Sequence, residues 1–213
     1  MIKYSDFPSV IIACHSNDTE LGNYFRKCTE EIIDCLEDKS PFIQLFENER
    51  CNEVALSICF SRTRHSKYRI FIAYSHGVAD ALVIDKHKYL NLDNISELHQ
   101  GLLYTNACLC GQKLGKTFIG KEGAFIGFKE SVNALIGNLE SISIDCDNCG
   151  ILYWCHKPDT TIREVVKIMR NKYDQKIDYL EEMGYGDEII SYLEEAKNAL
   201  TYYGNPDLTF KGA

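Results

Sequence analysis

The sequence predicts an α/β fold, a mostly parallel central sheet covered by helices on both faces. Three observations predict it. Short apolar runs rich in β-formers recur along the first 130 residues, the segments between them carry apolar side chains three or four positions apart, and the two kinds of segment alternate. Parallel strands need crossovers long enough to hold a helix, which this alternation supplies.

Taken in order, Ser9 to Cys14 is an apolar strand that stops at Ser16-Asn17-Asp18-Thr19, side chains suited to cap a helix. The helix follows, with Leu21, Phe25, Cys28, Ile32 and Leu36 on one face. Pro41 to Phe46 reads as a second strand and Glu49 to Arg62 as a second helix carrying Val54, Leu56, Ile58 and Phe60. Tyr68 to Tyr74 is a third strand, ended by Ser75-His76-Gly77. A looser stretch containing Ala81 to Ile84 precedes a short helix at residues 94–98 and a fourth strand from Gly101 to Ala107. Residues 111–121 read as a helix and Gly123 to Phe128 as a fifth strand. Beyond residue 160, Ile162, Val165, Val166, Met169, Tyr173, Ile177 and Leu180 mark a long amphipathic helix, and a second spans about Asp187 to Tyr202. Residues 1–213 are expected to form a single domain with a helical C-terminal part from about residue 160.

Composition narrows the function. A net charge of -8 repels phosphate backbones and no basic patch interleaved with aromatics offsets it, so nucleic-acid binding is disfavoured. No run approaches the roughly 18 apolar residues of a membrane span, and no signal-like segment opens the chain. The expectation is a soluble, cytoplasmic protein with no membrane partner, whose ten cysteines are mostly free thiols.

In open parallel sheets, functional residues gather beyond the carboxyl ends of the strands. Two strand ends carry chemistry: Ser75-His76-Gly77, and Asn106-Ala107-Cys108-Leu109-Cys110-Gly111. Should those strands be neighbours, His76 and Cys108 emerge side by side, and an imidazole that accepts a thiol proton generates a nucleophile. A glycine after the histidine lets its backbone N–H approach a substrate carbonyl and hold the oxyanion. The pattern suits acyl transfer, although spacing alone fits a strand-end histidine and an ordinary buried thiol equally well.

The order strand-His76-Gly77, then 32 residues to Cys108 in strand-Ala107-Cys108-x-x-Gly111, resembles the caspase-like cysteine peptidases, a superfamily that includes caspases, metacaspases, legumains, gingipains and CHAT-domain proteases. Lys113-Leu114-Gly115 followed by Gly123 to Phe128 is similar to the helix and next core strand of gingipain-like and CHAT-like members, and Tyr203 to Leu208 is similar to the segment closing many gingipain-like domains. The resemblance implies a caspase-like three-layer sandwich, a His76–Cys108 dyad, and an oxyanion hole from the amides of Gly77 and Cys108. Caspases themselves place glycine two residues after the nucleophile; here Gly111 lies three after Cys108, as in legumains, gingipains and CHAT proteases. That register favours Cys108 over Cys110 as nucleophile.

The resemblance also implies that His15, Asp18 and Asn106 line the substrate pocket. Asp18 would favour a basic P1 side chain, a helix cap is an equally good reading of it, and an amide at Asn106, where metacaspases and legumains often carry an acid, weakens the case for basic P1. The implied substrate is a specific protein or peptide, in a prokaryotic standalone enzyme of bacterial defence or cell death, with a regulatory protein partner and no cofactor.

Two other signals compete. Cys146, Cys149, Cys155 and His156 lie within eleven residues, a cramped loop for a tetrahedral zinc site and more simply free thiols, so no metal is expected. Gly111 to Thr117 nearly spells a phosphate-binding loop, but three residues separate its glycines where four are needed, leaving nucleotide binding as an alternative. A catalytically inactive caspase-like scaffold that binds a protein partner is the other.

Overall fold

The computed structural model describes residues 8–37, 39–40, 42–66, 69–98, 101–119 and 123–210. Pro41, Tyr68 and residues 120–121, expected at the edges of a strand or helix, lie outside them. The elements are β1 (Ser9–Cys14), α1 (Gly22–Leu36), β2 (Ile43–Glu47), α2 (Glu53–Arg62), β3 (Arg69–Tyr74), β4 (His76–Val78), β5 (Ala81–Ile84), β6 (His87–Asn91), β7 (Gly101–Thr105), α3 (Leu114–Phe118), β8 (Gly123–Phe128), α4 (Glu140–His156), α5 (Ile162–Glu182), α6 (Asp187–Ala199) and β9 (Leu200–Gly204).

Six strands form the central sheet in the order β2-β1-β3-β7-β8-β9, and β4-β5-β6 form a small antiparallel sheet. Every central pairing is parallel except that of β8 with β9. Alternation of side chains along β1 and β3 divides the interior into two apolar layers. Val10, Ile12, Cys14, Ile70, Ile72 and Tyr74 pack with α1, α4, α5 and α6, whereas Ile11, Ala13, Phe71 and Ala73 pack with α2, α3 and the small sheet. The result is the predicted α/β sandwich, a mostly parallel sheet between two covering layers.

Several elements differ from the sequence reading. Residues 146–156, read as a cysteine-rich loop, belong to α4, which is wedged against both α1 and α5 and therefore shows no single apolar stripe. The packing is close: a Cβ on Gly150 would sit 2.6 Å from the Met169 sulfur on α5. The looser stretch around residues 81–84 is the middle strand of a meander, whose β5–β6 turn, Asp85-Lys86, has φ of 47° and 69°. That is the backbone of a tight hairpin turn without the glycine that normally announces it. The helix expected to reach Tyr202 stops at Ala199, because Leu200-Thr201-Tyr202-Tyr203 is rich in strand formers and completes the sheet beside β8. The second helix is shorter than expected: residues 48–50 form a 3-10 turn, Asn52 caps α2 by accepting from the Ala55 amide, and Cys51 lies outside the helix. Likewise residues 95–98 are a single 3-10 turn and α3 covers only Leu114–Phe118.

Candidate active site

The carboxyl ends of β1, β3 and β7 are adjacent, and each delivers one part of a site. Parallel registers Cys14↔Tyr74 and Ala73↔Thr105 align the three ends, and the amides of His15 and Asn106 donate to the carbonyls of Tyr74 and Ala73. His15 and Asp18 therefore follow β1, His76 follows β3, and Cys108 follows β7.

Gly77 locks two of these ends together. A Cβ there would lie 2.5 Å from the Cys108 carbonyl oxygen, 2.6 Å from the Cys110 sulfur and 2.9 Å from Ala107 Cβ. Only glycine permits the 107–110 turn to press against the residue following His76. His76 and Cys108 then line one pocket, with Asn106 and Tyr24.

Cys108 is half-buried, and its sulfur is bracketed by Val132, whose amide donates at 3.3 Å and whose carbonyl lies at 3.4 Å. The next residue, Leu109, has φ of 62°, a left-handed conformation that costs a branched side chain of the order of 1 kcal/mol. Its amide donates to the Glu130 carbonyl, which holds the turn in that conformation. Cys110 points the other way. It is fully buried with its thiol toward the carbonyls of Val78 and Ala81, and burial pushes its pKa well up.

His76 is about half exposed, and its Nε2 lies 2.8 Å from Asp18 Oδ2. Its ring stands edge-on to Phe25 at 5.7 Å and to His15 at 5.8 Å. Asp18 serves two elements at once, because Oδ1 accepts the amides of Glu20 and Leu21 in the turn that leads into α1, and its backbone carbonyl accepts the Gly22 amide. Burial works against its charge, but the Leu21 amide, the His76 ring and the Glu20 amide outweigh it and hold the carboxyl below its ordinary pKa. Asp18 is thus a cap and a partner for His76 in one side chain.

His15 is 2% exposed and its Nε2 contacts Asp85 Oδ1 at 3.1 Å, from the β5–β6 turn. Asn106 is buried and its Nδ2 donates to the Tyr24 hydroxyl at 3.2 Å. Beneath it lies a polar cluster that sequence reading missed. The hydroxyls of Tyr24 and Tyr173 both donate to the Asp147 carboxylate, and Tyr104 donates to its backbone carbonyl. Burial raises the Asp147 pKa against the opposing hydrogen bonds from Tyr173, Tyr24 and Asn106. Asp147 and Tyr173 line the same pocket as His76 and Cys108. The available signal was an acid on the buried side of α4, hidden by its place between two cysteines and two residues after a second aspartate, Asp145.

In the first of the two competing motifs the cysteines are free thiols, as read from the sequence. Cys146 and Cys155 are buried along α4, and Cys35 of α1 lies 3.7 Å from His156 Nδ1. Among the described residues, the donors close enough to share an ion are instead His15, Asp18 and His76, whose ligand atoms lie within 4.8 Å of one another. In the glycine-rich stretch, the amides of Gly111, Gln112, Lys113, Leu114, Gly115 and Thr117 all donate to backbone carbonyls. These six amides are therefore not available to cradle a phosphate.

No protein-family model matches the sequence, and no curated protein does. Among solved structures, the fold is similar to one described as the structure of pro-Sf-caspase-1, with a TM-score of 0.53 and 10% sequence identity, over 95% of this chain and 92% of that one. That likeness agrees with the strand order and the two covering layers: the chain has a caspase-like fold.

Proposed function

We propose that the chain is a cysteine endopeptidase in which Cys108 is the nucleophile and His76 the acid–base. The observation that carries the reading is the delivery of both side chains to one pocket by neighbouring strand ends, with the His76 ring held at Nε2 by Asp18. If Nε2–H donates to that carboxylate, Nδ1 keeps a lone pair for the thiol proton, the usual logic of an oriented imidazole. The sulfur attacks the scissile carbonyl as the proton moves to His76, and the carbonyl π electrons become an oxyanion. Collapse breaks the C–N bond, His76 returns the proton to the leaving amine, and water then cleaves the thioester with His76 again taking a proton.

Gly77 and Cys108 amides receive the oxyanion. Gly77↔Leu82 lies one pair back from the Val78↔Ala81 pair that flanks the two-residue β4–β5 turn. Ladder bonds alternate along an antiparallel pair, so the Gly77 N–H faces away from β5. Substrate is a protein or peptide chain, with Asn106 as a pocket residue and a bacterial defence or cell-death pathway as the setting; His15, 2% exposed and held by Asp85, does not line the pocket. Asp18 contributes to His76 and α1 rather than to a basic P1 side chain, because its contacts run to these two and it is not among the residues lining the pocket.

A P1-diverse peptide library tests the reading, with thiol-directed acyloxymethyl ketone labelling alongside it. Cleavage and labelling by the wild type, both lost in Cys108→Ala and kept in Cys110→Ala, are expected. Activity that survives Cys108→Ala would reject the nucleophile, and a wild type that neither cleaves nor labels would leave an inactive scaffold for a protein partner.

A further inference from the structure

We propose that His15, Asp18 and His76 form a binding site for a borderline divalent cation of the Zn²⁺ class, and that occupancy switches off proton transfer by His76. The site stands on three observations. Asp18 Oδ2 lies 2.8 Å from His76 Nε2 and 3.8 Å from His15 Nδ1, and all three atoms fall within 4.8 Å of one another. Ligands about 2.0–2.1 Å from a tetrahedral ion are separated by about 3.3 Å, a value these separations bracket. His15 is 2% exposed, yet its Nδ1 has no hydrogen-bond partner. A buried ring nitrogen without a partner is costly, and this one is directed toward Asp18 and His76.

Asp85 supplies the third observation. Its carboxylate contacts the other nitrogen of His15 at 3.1 Å, fixing the tautomer that leaves a lone pair on Nδ1. A carboxylate behind a histidine in this way is the usual support of a metal-binding imidazole. Two imidazoles and one carboxylate suit Zn²⁺ or a similar ion better than Mg²⁺ or Ca²⁺, which prefer oxygen.

The regulatory half rests on the peptidase reading. Coordination at Nε2 moves the proton of a neutral His76 ring to Nδ1, and from a doubly protonated ring it releases one proton to solvent. Either way, Nδ1 no longer accepts the thiol proton.

The purified full chain carrying Cys108→Ala is titrated with Zn²⁺ against a chromogenic chelator, and with Co²⁺ by absorption spectroscopy. One ion per chain is expected, with Co²⁺ d–d bands and no sulfur-to-cobalt charge transfer. His15→Gln should lose the site, and Asp85→Asn, at an exposed turn, should weaken it about 10- to 100-fold. No binding by the parent, or unchanged affinity in both variants, overturns the site whatever the peptidase does. In active enzyme, Zn²⁺ should inhibit and a chelator restore cleavage, with the inhibition midpoint shifted by the same factor in Asp85→Asn. Inhibition that Asp85→Asn leaves unmoved would assign it to the Cys108 thiol and overturn the switch.

Discussion

Asp18 links two properties that are normally separable, helix capping through Oδ1 and contact with His76 through Oδ2. Asp18→Asn keeps an amide acceptor for the cap and removes the charge beside the ring. On the peptidase reading, it should lower kcat by about 10²- to 10⁴-fold while stability changes little, read by steady-state kinetics and chemical denaturation. Asp18→Ala should in addition lose about 1 kcal/mol of stability with the cap. The sign of the pH effect follows from the lowered pKa. The stabilisation is present above the ordinary carboxylate range and disappears as pH falls through the lower, folded-state value, so wild type and Asp18→Ala should converge in stability in acid. Gly77→Ala has a different cause of failure. Its methyl would meet the Cys108 carbonyl at 2.5 Å, so the 107–110 turn must move; about 1–3 kcal/mol of destabilisation and, on the peptidase reading, loss of labelling are expected.

At the scale of elements, the sequence was most readable where periodicity was strongest. β1, β3, β7 and β8 are buried on both faces and appear as continuous apolar runs, while α1 and α5 bury one stripe each. The structure adds a start signal to α5, where Thr161 and Glu164 form a reciprocal capping box. Thr161→Ala should cost about 1 kcal/mol, measured by urea denaturation. The failures share a cause, which is burial decided by partners distant in sequence. α4 touches helices on two sides and so lacks a polar face, and β9 is a strand because β8 offers it an open edge. The small sheet escaped notice because its turns carry no glycine. In the candidate site, the shared pocket of His76, Asn106 and Cys108 was legible because all three follow the ends of strand runs. The contact of Asp18 with His76 spans 58 residues, and the convergence of Tyr24 and Tyr173 on Asp147 spans 123 and 26, so no local pattern announces them.

For the whole molecule, Asp147 is the buried acid on which α1, α4 and α5 converge through Tyr24 and Tyr173. Its raised pKa means that the folded state holds this proton more tightly than the unfolded chain does. The stabilisation is full below the ordinary carboxylate range and declines as pH rises through the folded-state value. Asp147→Asn removes that dependence, so the difference in melting temperature between variant and wild type should shift in the variant's favour from pH 4 to pH 8, measured by scanning calorimetry. A flat difference would place the titration elsewhere. The last strand has a consequence for when the site comes into being. A Cβ on Gly111, three residues after Cys108, would lie 2.8 Å from a methyl of Thr201, and the Lys129 amide donates to the Ala199 carbonyl. The wall behind the 107–111 turn is therefore built from residues that leave the ribosome about ninety positions after the turn itself. A nascent chain carries Cys108 and His76 long before it carries the strand that supports them.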